Sequence, residues 1–355
     1  MKICFLADGK HINTISWVNY LANVLGHEIH LISFGKAEIP SKKVKFYSLG
    51  PASKVFLRYI IYIPKLKKLI SEISPDILIG YRITSYGFMA ACTKFHPLVL
   101  AAQGQNIIPP NSSKAKAYFS RYAIRRADLI HSWGIHMTQK LKEFGAKPEK
   151  ILILPRGIDI NLFIPLTERF SDLGCYKLIT TRGLNSDYNF DQILHAISIL
   201  ITSMKNFKYI FAGDGQYKST LVQKVKTLGL ESYVDFVGKV EHEKLPLYLQ
   251  SADLYVSAVS TDGVSASLLE AMACGVFPIV INNAANRLWI EDGINGYLVN
   301  NGDYEELARK IRLSLEDIGL REKAKGINRK LVVEKASIEK NMKEFETMWK
   351  KLISS

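Results

Sequence analysis

The chain of 355 residues has no apolar run that approaches the ~20 residues a bilayer-spanning helix needs. Its opening, MKICFLADGK, is too short for the apolar core of a secretory signal and reads as a first β-strand. Cysteine is scarce: Cys4, Cys92, Cys175 and Cys274 are scattered, with no CxxC pair. The expectation is four buried, reduced thiols in a cytosolic protein, not a disulfide framework. There is no Asp-x-Asp pair, and no His/Cys cluster has metal-ligand spacing. A chelated divalent metal is therefore not expected. GxGxxG and GxxxxGK[ST] are missing too, and the first strand is followed by ADGKHINT. That argues against a nicotinamide dehydrogenase or a P-loop ATPase. No internal repeat or low-complexity segment stands out.

Acid is scarce in one half only. Residues 1–170 hold 24 Lys and Arg against 10 Asp and Glu, whereas residues 171–355 hold 23 of each. The net charge of +14 therefore lies entirely in the first half. Such asymmetry suits an anionic partner. Membrane phospholipid, an anionic glycan and nucleic acid all qualify, as does a basic surface that is merely soluble. Two basic aromatic stretches lie in this half, KVFLRYIIYIPKLKKLI (54–70) and KAKAYFSRYAIRR (114–126). The first fits a helix or loop resting on an anionic membrane interface. Both also fit helices packed on their own sheet with a solvated basic face. No nucleic-acid-binding motif accompanies them, and no nucleic acid is expected.

What the chain does have is alternation. With 48% hydrophobic and 23% charged residues it is ordinary globular material, long enough for about two domains. Strand-like runs are KICFLA (2–7), EIHLIS (28–33), DILIGY (76–81), LVLAA (98–102), LIHSW (129–133) and ILILP (151–155). Helical stretches separate them, such as 114–126 and 13–25, the latter with Trp17, Leu21, Val24 and Leu25 on one face. After a Pro-bounded connector (156–170) the pattern restarts with YKLITT (176–181), KYIFAG (208–213), VDFVG (234–238), LYVSA (254–258) and FPIVI (277–281). Apolar strands with helices between them mean a parallel sheet covered on both faces. The expectation is two doubly wound α/β domains, residues 1–165 and 170–335. A terminal helix (336–355) carries Ile338, Met342, Phe345, Met348 and Trp349 at helical spacing and is read as core packing against the first domain. Ligands of such sheets bind at the carboxyl ends of the strands, and the cleft between two domains is the default site.

The most informative segment is TDGVSASLLEAMACG (261–275). Asp262 sits on a Gly/Ser turn, and eight positions later Glu270 lies within the apolar helical run Leu268-Leu269-Glu270-Ala271-Met272-Ala273. An acid among such neighbours is costly unless hydrogen-bonded, so donors such as ligand hydroxyls are expected to meet it. Ser265 is placed to cap the helix, whose first N–H groups form an anion site. Arg182, at the end of YKLITT, is placed to pair with a diphosphate. Gly213-Asp214-Gly215 closes another strand and reads as a tight turn or a ligand loop. Gln103-Gly104-Gln105-Asn106 offers Gln103 and Asn106 to hydroxyls, or is an ordinary turn. His11, in the first βα loop, reads equally as an acid/base or sugar contact and as a solvated loop residue.

These residues together resemble family 4 glycosyltransferases, retaining nucleotide-sugar transferases of the GT-B fold. The resemblance spans nearly the whole chain. LPRGIDINLFIP (154–165) is similar to the family's P-N-G-[IV]-D-x-x-x-F-x-P linker, and FAGDGQYKSTL (211–221) to its G-D-G-P turn. VDFVGKVEHEKLPLYLQSADLYVSAV (234–259) resembles its strand, base-binding loop, helix and next strand. SLLEAMACGVFPIV (267–280) resembles its most recognisable segment, and the opening LADGKHINTISW a branch with His-x-x-x-x-x-Trp. The resemblance implies two facing Rossmann-like domains with the active site in the cleft between them. It implies Glu270 on the ribose hydroxyls, Asp262 on the donor sugar and Arg182 on the diphosphate. The backbone of Gly263, Val264 and Ser265 would hold sugar and diphosphate, with Gly213 beside them and Gly238, Lys239 and Val240 at the base. His11, Gln103 and Asn106 fall on the acceptor or sugar side.

Four departures stand out: Arg156 replaces the linker Asn, and Asp262 the usual Glu. Gln103 lies nearest the place of an expected histidine. No lysine follows Arg182 in RGLNSDYNF, where Tyr188 and Asn189 occupy its region. The implied activity is transfer of a sugar from a nucleotide donor to a glycan or lipid-linked acceptor, with no cofactor and no metal. The implied setting is the synthesis of cell-surface polysaccharide, lipopolysaccharide or glycolipid. The implied place is the cytoplasm, peripheral on the inner face of the membrane. A nucleotide-sugar epimerase on the same fold and a non-catalytic nucleotide-sugar-binding relative are the alternatives.

Overall fold

Short apolar runs, most buried on both faces, form two all-parallel sheets. Residues 1–39, 41–51, 57–104, 114–166, 174–261 and 263–354 are described in the computed structural model, which divides into two units. The first comprises Met1–Pro155 and Asn341–Ser355, the second Arg156–Lys340.

In the first unit the strands are β1 (Lys2–Leu6), β2 (Glu28–Ser33), β3 (Val44–Ser48), β4 (Ile77–Tyr81), β5 (Leu98–Ala102), β6 (Leu129–Ser132) and β7 (Ile151–Ile153). They lie in the order β3-β2-β1-β4-β5-β6-β7. In the second they are β8 (Tyr176–Thr180), β9 (Phe207–Phe211), β10 (Val234–Phe236), β11 (Leu254–Ser257), β12 (Phe277–Ile281) and β13 (Tyr297–Val299). Their order is β10-β9-β8-β11-β12-β13. In each sheet the first strand in sequence is flanked by its successor on one side and a later strand on the other. These are the pairs β1/β4 and β8/β11. The connections reverse direction there, leaving a crevice at the carboxyl edge.

The expected strands are present: β2, β5 and β12 keep their expected bounds, β9 begins one residue early, the rest lose a residue or two at an end, and β3 and β13 join them at the sheet edges. The helix Lys114–Arg126 falls where the pattern put it. Stretch 54–70 resolves into two helices, Arg58–Ile61 and Ile63–Ile73, while 52–56 lie outside the described residues. Two expectations fail. The helix predicted over 13–25 ends at Asn23, so Val24 is its C-cap and is 62% exposed instead of joining Trp17 and Leu21 in the core. Of the four free cysteines only Cys4 and Cys274 are buried; Cys92 is half-buried, and Cys175 is exposed at the entry to β8. Burial pushes the Cys4 thiol up to about 12.

The terminal helix Ile338–Ser354 buries Met342, Phe345 and Trp349. Phe345 lies 5.0 Å from the Trp17 ring and 4.0 Å from that of His131. His131 is wholly buried, which lowers its pKa to about 3, and its Nε2 bonds the Leu154 carbonyl at 2.7 Å. Glu346 pairs with His27 at 3.2 Å, and Asn341 Nδ2 donates to Pro155 O at 3.0 Å. The chain's last residues thus complete the core of the unit that its first residues began.

At the end of β4 the backbone is strained. Arg82 has φ 74° and ψ 110°, which an L-residue rarely adopts. A π-helical turn follows, Ile83–Gly87, with Gly87 N–H donating back to Arg82 O at 2.9 Å. The turn lies against the strand itself, since a Cβ on Gly80 would come within 2.7 Å of Gly87 Cα.

Candidate active site

At the carboxyl edge of the second sheet, the loops after β10, β9, β8 and β11 follow the strand order. Strand β8 delivers Thr181 and Arg182, and β11 runs into the turn that starts the helix Ala266–Ala273. Ser265 is the N-cap: at φ −72° and ψ 110° it is extended, and its Oγ accepts the Leu268 N–H at 3.2 Å. The same Oγ accepts from Arg182 Nη1 at 2.8 Å. A cation is thereby tied to a helix N-terminus, where the backbone already favours negative charge. Ser267 Oγ adds a longer bond to Thr181 O at 3.4 Å. Across the Arg182 guanidinium lies the Tyr188 ring, its centroid 4.6 Å from the guanidinium carbon.

The loop after β9 fixes this turn from the other side. Ala212 N–H donates to Thr180 O, and Leu184 N–H to Asp214 O. A Cβ on Gly213 would sit 2.1 Å from Arg182 O, and one on Gly215 2.3 Å from Leu184 O. Both glycines are required because two backbones touch, so the Gly-Asp-Gly turn has a structural reason to be there.

Glu270 occupies the middle of the helix, 5% exposed, among Leu268, Leu269, Ala271 and Met272, each at 1% or less. The donor that meets it is His242, whose Nε2 lies 3.3 Å from Glu270 Oε1. This hydrogen bond holds the His242 pKa above its ordinary value, against burial and the nearby Arg156 charge. Sequence reasoning missed His242. It lies 28 positions from Glu270 and two past the 238–240 loop, and nothing local marks it.

The connector explains how His242 is held. Asp159 Oδ1 accepts from Asn161 and Leu162 N–H, turning the chain so that Phe163 is fully buried. The Phe163 ring meets His242 edge-on at 5.2 Å. Arg329 ties this turn to the Glu270 helix: it donates to Ile160 O (2.8 Å), Phe163 O (2.5 Å) and Ala273 O (3.3 Å). The substituted Arg156 is itself buried.

The structure therefore brings Arg182, Ser265 and the Gly213 backbone together, and sets Glu270, in the helix that Ser265 caps, against His242 from the turn His242–Lys244. Gly263 and Val264 are buried in the turn before Ser265. Gly238, at φ 76°, Lys239 (exposed) and Val240 follow the edge strand β10. Asp262 and Asn106 lie outside the described residues. In the first unit His11 caps the helix Ile12–Asn23, its Nδ1 accepting from Asn13 N–H at 3.2 Å. Gln103, after β5, is 9% exposed, and its Nε2 has no partner among the described residues.

Two parallel-sheet α/β domains of this kind are the GT-B fold, the architecture of a large class of glycosyltransferases. Residues 172–331 match the family described as glycosyl transferases group 1, and residues 2–133 that described as glycosyl transferase 4-like. The chain is 31% identical over 336 residues to EpsD of Bacillus subtilis, which carries a provisional glycosyltransferase name; the match covers 85% of this chain and 82% of that one. It is 24% identical to N-acetyl-alpha-D-glucosaminyl L-malate synthase of Bacillus anthracis, over 91% of this chain and 89% of the other. Among solved structures, Anabaena HepE in complex with UDP superposes with a TM-score of 0.82 over 98% of this chain and 99% of that one, at 19% identity. The chain belongs to the group 1, family 4 glycosyltransferases, and it is a transferase enzyme.

Proposed function

We propose that this enzyme moves a sugar from a nucleoside-diphosphate donor to an acceptor hydroxyl, with the anomeric configuration retained. The observation that carries the donor reading is Arg182 tied to the N-cap of the Ala266–Ala273 helix, with Glu270 buried one turn further on. Arg182 and the 263–266 amides would take up charge on the departing diphosphate, and preorganised donors of this kind stabilise such a transition state. The Glu270 carboxylate, oriented by His242, would accept hydrogen bonds from the ribose diol, and Asp262 would orient the sugar. Lys239 and its neighbours would border the base. Retention rests on the family resemblance, and our working route is same-face attack assisted by the leaving phosphate.

A thermal-shift screen against UDP-, GDP- and ADP-sugars in EDTA tests this directly. One donor should raise the melting temperature of the wild type, and Glu270→Ala should fold but lose that shift. An undiminished shift in a folded Glu270→Ala protein would sink the ribose assignment, and a shift that needs added divalent metal would sink the metal-free reading. Proton NMR of the product's anomeric coupling then checks retention.

For the acceptor we propose a lipid-linked or surface-polysaccharide intermediate, met by the basic first unit. The surface supports this: Leu57, Ile60 and Ile61 are exposed beside Arg58, Lys67 and Lys68, and Tyr118 is exposed on the second basic helix. Gln103, buried with an unused donor, is the first-unit group best suited to a sugar or acceptor hydroxyl.

A further inference from the structure

We propose that Tyr188 is a positioning residue for Arg182, which it fixes for the diphosphate before the donor arrives. The inference rests on the reading of Arg182 as a diphosphate ligand. It starts from the observation that the arginine is held at two places by groups from different loops. Ser265 Oγ accepts from its Nη1 at 2.8 Å, and the Tyr188 ring covers its guanidinium carbon at 4.6 Å. An arginine carries several rotatable bonds, and ordering them on ligand binding costs affinity. A guanidinium stacked on an aromatic face has met part of that cost already, and it keeps its in-plane N–H groups for an anion.

Tyr188 is itself well anchored. It ends the short 3-10 turn Ser186–Tyr188, and its N–H donates to Asn185 O at 3.2 Å. The next residue, Asn189, is left-handed at φ 50° and starts the helix Phe190–Leu200. Its Nδ2 donates to Gln192 Oε1 at 2.8 Å and to Asn301 Oδ1 at 3.0 Å, which pins the turn. The Tyr188 ring also meets Phe190 edge-on at 6.2 Å, so one of its neighbours is core and another is the cation. A tyrosine whose task was packing alone would have no need to face the guanidinium.

The test is calorimetric titration with UDP, GDP and ADP and the matching monophosphates, using whichever base binds. The quantity read is the affinity advantage of diphosphate over monophosphate. In Tyr188→Leu, with Tyr188→Met as a second non-aromatic variant, that advantage should fall by roughly 2- to 30-fold, the span of a cation–π contact. Tyr188→Phe should keep it, because the ring and not the hydroxyl is invoked. Arg182→Ala should lose it, and adding Tyr188→Leu to Arg182→Ala should cost nothing further. If Arg182→Ala binds diphosphate normally, the diphosphate reading fails and this inference with it. If Arg182→Ala loses the advantage while folded Tyr188→Leu and Tyr188→Met keep it, Tyr188 alone is wrong. A Tyr188→Phe protein as impaired as Tyr188→Leu would also overturn the proposal.

Discussion

Single residues of the second unit show which parts of a site can be read from sequence. Ser265 was legible because a cap is a local matter: a small hydroxyl residue before an apolar helix has few other uses. Glu270 was legible as a problem, an acid in an apolar run, but not as a solution. Its partner His242 arrives from a different loop, and pairing over 28 positions leaves no trace in a window of sequence. The pair has a pH signature. Because the hydrogen bond to Glu270 raises the folded-state pKa of His242, its contribution to stability is complete below the ordinary histidine value, about 6.5, and is lost as pH rises through the raised value. The melting temperature of the wild type should therefore drop over that window more than that of His242→Gln. Parallel curves for the two proteins between pH 5 and 9 would show that the pair does not titrate as described.

Among the elements, periodicity served best where burial was complete. Strands β1, β4, β5, β11 and β12 are almost wholly buried runs and were placed to within two residues. Edge strands were harder. In β3, VKFYS, only Val44 is buried, with Lys45 and Phe46 exposed, so the run looks like loop to a search for apolar stretches. In β13 the run is three residues long. The π-helical turn after β4 was invisible as well, because it depends on Gly80 and Gly87 meeting and not on a repeat. That element stores strain at Arg82, whose φ of 74° costs an L-residue on the order of 1–3 kcal/mol. Arg82→Gly releases it, less the ~0.5–1 kcal/mol by which glycine loosens the unfolded chain. The variant should unfold at a temperature about 2 °C higher in calorimetry. An unchanged or lower midpoint would mean that the side chain contributes more than the backbone strain removes.

At the scale of the whole molecule, charge is the feature that composition makes plain. The net charge of +14 belongs to the first half of the chain, where basic side chains stand beside the exposed Leu57, Ile60 and Ile61. A basic surface with apolar residues at its edge suits an anionic bilayer. No helix among the described residues is long and apolar enough to cross a membrane. Vesicles of phosphatidylglycerol should bind the protein at low salt and release it as salt rises, and Ile60→Ser with Ile61→Ser should weaken that binding. Failure to bind, or binding indifferent to salt, would overturn the reading of this surface as a membrane contact.

The return of the terminal helix to the first unit bears on how the protein is made. The second unit, Arg156–Lys340, is spliced into the first, which closes only with Asn341–Ser355. On a ribosome the inserted unit is fully synthesised first, while its host waits with Trp17 and His131 uncovered until Phe345 emerges. The first unit to begin is therefore the last to finish, and during translation its open core is the surface most in need of protection from aggregation.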